Sequence, residues 1–488
     1  MAAIITEKFR THNAKQFRED FGETASSTYI FIGRSYPWTD DTSPPTPVNG
    51  TGEEMDAFSD MLSLKKIGIS DVSHGISRID WTSGTTYDEY GHDISSSNTS
   101  TGNSSNNLWD ANFYVMTDEY NVYKCLRTGR DSNGATVAST VKPTGTSATD
   151  LVYTSDTGAA NGYIWKYMFS VSASDTIKYV TSDFIPLKTL GAKTNVGGSG
   201  TNGALGSSAD NDGSAQWDVE NSAVDGAIYH VRVANGGSGY TNGTYTGVVV
   251  DGDGSGGTCT VTVGGGAVTS VAMTAGGSPA YGSGYRRASI DIDGISGIGG
   301  GSGASVVPVI SPMNGHGADP VEELGGNYVI VNSRFEFNEG SGDFPTDNDF
   351  RRIGLLQDPF TAGTTTVATG TTLSAVYQMT LSNVSGLSVD DTIMDASSNG
   401  DAVAVSRITS ISGNVVSHIP VANSGGEYVN FSSGTVYKNG VSIGNINSVD
   451  SNFPEVERFT GNLLYVENRG AVTRASDQIE DIKLIIEM

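Results

Sequence analysis

The chain has 488 residues, of which only 17% are charged, and 54 acidic against 28 basic side chains give a formal net charge of −26. That balance argues against a nucleic-acid coat, which needs clustered Lys and Arg, and suits a soluble surface or docking onto basic protein partners. The length implies roughly three or four domains of about 100–200 residues, and 63 glycines point to many turns and short strands rather than long helices. No window approaches the ~18 apolar residues of a membrane span. Residues Met1 to Lys8 lack a basic stretch followed by an apolar run, so assembly in a cytoplasm without membrane insertion is expected. Cys125 and Cys259 are the only cysteines and are too few for a disulfide framework or a zinc cluster.

In chain order, Ala14, Phe17 and Phe21 recur at helical spacing and predict a short amphipathic helix over 13–21. Tyr29 to Ile32 predicts a buried strand, and Met55, Phe58, Met61 and Leu62 predict a second helix after the Pro44–Pro47 loop. Asp93 to Asn107 is a polar surface loop by composition, Phe113 to Leu126 reads as a hairpin with aromatic strands, and Ile164 to Val171 reads as a strand. Together 1–195 form an α+β block, followed over 196–230 by a Gly/Ser linker (Val196 to Asp212) and a return strand.

An internal repeat follows. Val231-Arg232-Val233-Ala234-Asn235-Gly236-Gly237-Ser238 is echoed by Val271-Ala272-Met273-Thr274-Ala275-Gly276-Gly277-Ser278, and Val248 to Gly252 by Ile290 to Gly294. Two copies are too few for a solenoid, so 231–318 is expected to form a pseudo-symmetric β-domain. Asn327 to Phe337 predicts a strand within a segment 319–360. Thr/Ser/Val-rich sequence over 361–450 predicts a small barrel or sandwich, and 451–488 ends the chain in strands. Ile482, Leu484 and Ile486 alternate with Lys483, Ile485 and Glu487, as in a final strand tied into a sheet near Leu463, Leu464 and Tyr465. The predicted fold class is mainly β with minor α, in several sandwich- or barrel-like units.

Motifs that carry chemistry fail in context. Gly252 to Gly257 matches a dinucleotide fingerprint by letter, but Thr258 to Val263 reads as a strand where a helix is required. Gly440-Val441-Ser442-Ile443-Gly444 matches a nucleophile elbow, yet Asn439-Gly440 is a hairpin turn signal and no histidine follows His418. A calcium loop begun at Asp251 would need Glu where Thr262 stands, leaving opportunistic ion binding at the Asp251, Asp253, Asp291 and Asp293 turns as the residual reading. The histidines do not approach metal-ligand spacing. No catalytic, cofactor-binding or metal residue is assigned.

Several segments, in this order along the chain, carry a family resemblance: Lys8-Phe9-Arg10-Thr11, Tyr29 to Trp38, Val122 to Leu126, Gly162 to Phe169, Gly342-Asp343-Phe344-Pro345 with Phe350 to Pro359, Thr460 to Arg469 and Asp477 to Met488. They resemble the baseplate wedge subunit of contractile-tailed, T-even-like phages, the dimeric wedge protein numbered eight there. The resemblance covers a little over half the chain, interrupted by the two β-rich insertions. The Gly/Ser-rich repeats are similar to those in structural proteins of marine cyanobacterial phages. The resemblance implies a structural, non-enzymatic virion protein of the tail baseplate. Such a protein is a homodimer that bridges other wedge proteins and helps hold the baseplate before contraction, with no cofactor and no nucleic acid. Candidate interface or family-motif residues are Arg34, Trp38, Trp165, Arg351, Arg352, Tyr465, Glu467, Asn468 and Arg469. Arg and Trp are favoured interface anchors; for Trp165 core packing is the favoured reading, and for Arg34 and Trp38 both remain open. The alternative is a peripheral host-surface protein whose insertions contact carbohydrate or receptor, and a third reading is a depolymerising enzyme.

Overall fold

The structure, a computed structural model, describes residues 4–131, 135–154, 162–190, 212–274, 281–336, 348–475 and 478–488. The expected linker up to residue 211, the Ala275–Ser278 part of the repeat and the Gly342–Pro345 segment lie outside the described residues. The chain is mainly β and divides into two compact units, Met1–Lys15 with Ser73–Ile330 and Ile485–Met488, and Gln16–Val72 with Val331–Leu484.

Helix α1 (Glu7–Asp20) starts earlier than apolar spacing indicates, because Thr6 caps it: the Phe9 amide donates to the Thr6 hydroxyl at 3.3 Å. Strand β1 (Thr28–Gly33) is buried on both faces, hence its unbroken apolar run. Helix α2 (Thr51–Ser59) is shorter than predicted. Met61 and Leu62 do not continue it but open β2 (Met61–Lys66), where antiparallel pairing with β1, Gly33 opposite Met61, overrides the helical spacing.

β1, α2 and β2 belong to the second unit; the first unit holds β3 (Val72–Ser77), β4 (Tyr114–Met116), β5 (Asn121–Arg127), β6 (Val152–Thr154), β7 (Tyr163–Ser170), α3 (Ala173–Tyr179), β8 (Phe184–Leu187) and α4 (Ala215–Ser222). The hairpin expected over Phe113 to Leu126 is β4 with β5, extended into a sheet of order β4-β5-β7-β6. Then come β9 (Ile228–Ser238), β10 (Gly243–Val249), β11 (Asp251–Gly252), β12 (Thr258–Gly264), β13 (Ala267–Met273), β14 (Ala288–Ser289) and β15 (Ser302–Ile310). They enclose their own core, including Val231, Cys259, Val261, Tyr285 and Ile298. The second half of the repeat does not reproduce the first strand for strand. Ile290 to Gly294 is a turn, closed by the Gly294 amide on Asp291 Oδ1 at 3.1 Å, while the short β14 pairs with β11, Asp251 opposite Ser289. The glycines after Gly252 lead into strand β12, as the sequence requires. At the base of this region β9 and β15 pair, Ile228 opposite Ile310, and the Ser311 amide reaches the Ala227 carbonyl at 3.1 Å.

A one-turn helix α5 (Pro320–Glu323), capped by Asp319, precedes β16 (Tyr328–Glu336). In the second unit β17 (Asn348–Gln357), β18 (Thr372–Ser374) and β25 (Asn462–Arg474) join the first two strands in a sheet of order β18-β2-β1-β17-β25. Between them β19 (Tyr377–Leu381), β20 (Thr392–Met394), β21 (Val405–Ser412), β22 (Val415–Pro420), β23 (Thr435–Lys438) and β24 (Val441–Val449) close a barrel of order β19-β22-β21-β20-β23-β24. Asn439 and Gly440, both at positive φ (49° and 79°), make its two-residue hairpin turn. The last strand, β26 (Ile479–Glu487), buries Ile482 and Leu484. It lies beside β16, not beside the Leu463–Tyr465 segment, which β25 commits to β17.

Candidate interface site

Most of the singled-out residues converge at one end of the second unit's sheet. β1 ends at Gly33, where a Cβ would stand 3.0 Å from the Asp60 carbonyl, so a side chain there would crowd the chain leaving α2. Arg34 follows with φ 55°, its amide donating to that carbonyl at 2.8 Å. A bulky residue in the left-handed region is held there by its surroundings. The Arg34 guanidinium lies over the rings of Tyr36 and Trp38, at 3.9 and 3.5 Å, and Arg407 of the barrel lies 4.3 Å from the Tyr36 ring. Trp38 Nε1 donates to the Arg469 carbonyl at 3.0 Å, tying the turn to β25.

Adjacent residues of a strand point to opposite faces, so Arg351 and Arg352 of β17 serve two different clusters. Arg351 Nε reaches both Asp41 oxygens at 3.0 Å and Nη2 reaches Asp349 at 2.8 Å, while Nη1 donates to the Ser35 carbonyl. Arg352, 1% exposed, donates to Asp60 at 2.9 Å, Glu53 at 2.7 Å and the Asn468 side-chain oxygen at 2.9 Å. Asn468 Nδ2 in turn donates to the Pro45 carbonyl at 3.1 Å. Burial raises the Asp60 carboxyl to about 7 against the opposing pull of the Arg352 and Arg34 guanidinium groups. Arg351 and Arg352 are engaged from within the chain at Nε and both Nη atoms and fix the Arg34–Pro47 turn against β17 and β25.

Further along β25, the Tyr465 hydroxyl donates to Glu467 at 3.0 Å, and Arg469 Nε lies 3.7 Å from Glu467. Burial and the Glu467 charge push the Tyr465 phenol up to about 12. Trp165 is not part of this site: it lies in the first unit, fully buried, stacked on Tyr163 and donating from Nε1 to Thr154 at 3.0 Å.

One cluster escaped sequence reading. In the first unit Lys124 of β5 and Lys166 of β7 are register partners, both buried. Glu323 of α5 answers them: its Oε1 accepts from Lys124 Nζ at 2.6 Å and His316 Nδ1 at 2.9 Å, its Oε2 from the Gly317 amide at 2.6 Å. Lys124 also sits 3.7 Å from the Tyr90 ring centroid. Burial brings each lysine down to about 8 and, reinforced by Lys124, His316 to about 4. Against its own burial Glu323 is held at about 2, chiefly by Lys124. At neutral pH the lysine–glutamate pair is therefore ionised, and neutral His316 donates from Nδ1. The signal was available, since a lysine stands at the middle of each aromatic strand. Its partner lies 199 residues away from Lys124 and has no local mark.

Both cysteines are buried free thiols, and among the described residues no group of three or more His, Cys, Asp or Glu is placed to hold a metal ion. No helix among the described residues is long and apolar enough to cross a membrane. Strand ladders of this kind define a mainly β protein of several sheets and a closed barrel. The sequence model of the Phage-Gp8 family, described as Bacteriophage T4 Gp8, matches residues 3–141. The match takes in β1, the Arg34–Trp38 turn and Lys124, and supports a T4-like baseplate wedge subunit located in the virion tail baseplate. Arg351, Arg352 and β25 lie outside the matched span. No curated protein matches the chain.

Proposed function

We propose that the chain works as a paired structural subunit: two copies associate, bridge neighbouring wedge proteins and hold the baseplate in its form before contraction, with no catalysis of their own. The observation that carries this reading is the family match over residues 3–141, which includes the Arg34–Trp38 turn. Closed two-fold pairing is also the commonest homo-oligomer geometry. Work of this kind is burial of surface and exchange of contacts between two assembled states. Tyr465, Glu467 and Arg469, on the strand that ends the sheet, are the residues we assign to contact with neighbours. Light scattering over a concentration series should give the mass of two chains, and the tagged protein should co-purify with other baseplate proteins from infected cells. A monomer that binds host cells alone would replace this reading with the host-surface one. Release of sugar from host envelope would replace it with an enzyme.

A further inference from the structure

β25 is the end strand of the second unit's sheet and, among the described residues, is paired on one side only, to β17. A groove runs between its Leu463–Val466 stretch and a wall made by Pro47 to Thr51, Glu53 and Glu54. Leu463 pairs with Leu356 and Tyr465 with Leu355, so Leu464 is a bulged residue with no partner in β17. Its side chain is 42% exposed, and Val48 in the opposite wall is 70% exposed. An edge carrying open backbone groups and bare apolar side chains invites another strand unless lysine, proline or a covering segment guards it. β25 contains no lysine or proline. Beyond this stretch the edge is blunted, because the turn carrying Trp38 and Pro45 bonds to Arg469 and Asn468.

The groove is also acidic. Glu53 is held by Arg352, whereas Glu54 forms no ion pair among the described residues, and Glu467 follows just beyond on the strand. A second copy of the whole chain would carry its own net charge of −26 toward this acidic place, so charge favours a different, basic chain.

We propose that this groove receives an extended, basic segment of a neighbouring baseplate protein, which joins β25 as an additional strand. Its apolar side chain enters between Val48 and Leu464, and a lysine or arginine meets Glu54. Main-chain hydrogen bonds supply affinity and the alternating side chains supply specificity. The identity of the neighbour as a baseplate protein rests on the wedge reading; the strand and charge complementarity do not.

The test uses the full chain and a fluorescent six-residue peptide alternating lysine and valine, with a glutamate-for-lysine counterpart as control. Anisotropy should show saturable binding of the basic peptide alone, weakened about tenfold or more by E54K and by L464K separately, since one buried charge or apolar contact is worth ~1.4 kcal/mol or more. Hydrogen exchange should slow at the 463–467 amides when that peptide is bound. No binding, or binding that both variants leave unchanged, overturns the proposal, as does loss of a two-chain mass in L464K, which would give the edge to a second copy. Baseplates assembled with the doubly substituted chain separate the two readings: normal incorporation would reject the groove while leaving the wedge role standing.

Discussion

A lysine facing a lysine across two strands is repulsive unless something answers both charges. Lys124 and Lys166 are answered by Glu323. Replacing Glu323 by Gln should therefore cost about 3–5 kcal/mol, the penalty for an uncompensated buried charge, read as a lower urea midpoint. Adding Lys124→Met to that variant should recover part of the loss, because the orphaned charge goes with it. His418 is a second buried ionisable group. It packs against Tyr377 and Phe431 in the barrel, and among the described residues neither ring nitrogen has a hydrogen-bond partner. Burial, with the Arg458 charge adding, pushes it down to about 3. A depressed histidine contributes stability that is complete above its unfolded value of ~6.5 and is lost as pH falls from there toward the folded value. His418→Leu should thus flatten the fall in denaturant midpoint between about pH 6.5 and pH 4 relative to the parent chain. Neither role could be read from the sequence. Lys124 and His418 each sit in a recognisable strand, but what decides their chemistry is a partner, or the lack of one, supplied by distant chain.

Elements were legible where the local pattern and the tertiary pairing agree. β1, the β4–β5 hairpin, β7 and the Asn439-Gly440 turn follow directly from alternation and turn chemistry. Met61 and Leu62 fit a helical spacing equally well, and only the neighbouring β1 made them a strand. Ile290 to Gly294 looks like a strand until Asp291 bends it through its own side chain. β26 was recognisable as a strand, but its partner was not, because the choice between β16 and β25 depends on which sheet β17 has already filled. Its buried Ile482 and Leu484 are worth roughly 1.5–3 kcal/mol each. A chain truncated after Gln478 should lose at least that much stability, seen as a fall in thermal midpoint. An unchanged midpoint would mean that the segment is dispensable.

At the scale of the whole molecule, the barrel is joined to its sheet through two adjacent strands of chain. The Glu455 amide donates to the Ser374 carbonyl at 2.9 Å, and the Asp450 amide to the Gln378 carbonyl at 2.9 Å. The barrel has its own core of Met379, Leu381, Ile393, Ile408 and Val416. Replacing Val376 to Pro454 by a short Gly/Ser linker should therefore leave a cooperatively folding remainder, since closing so short a gap costs little entropy. Circular dichroism and a single thermal transition would show it; aggregation alone would mean that the barrel is integral to the rest. Sequence reading divides a chain into consecutive blocks. Here each compact unit is assembled from separated stretches, and no compositional boundary marks the passages at Lys15, Val72, Ile330 and Leu484.

That interleaving has a consequence for synthesis on the ribosome. β1, apolar on both faces, leaves the exit tunnel long before β17, its partner on one side, exists; Arg352 and its partner Asp60 are 292 residues apart. At ~5–20 residues per second the wait is about 15–60 s. Throughout that interval the Tyr29–Ile32 segment has only β2 to pair with, leaving one edge of a sticky strand open to other nascent chains. Soluble yield should accordingly rise when translation of the first part of the message is spaced between ribosomes, or when a chaperone that binds extended apolar segments is co-expressed, more than it does for a protein of equal size whose strands pair with near neighbours.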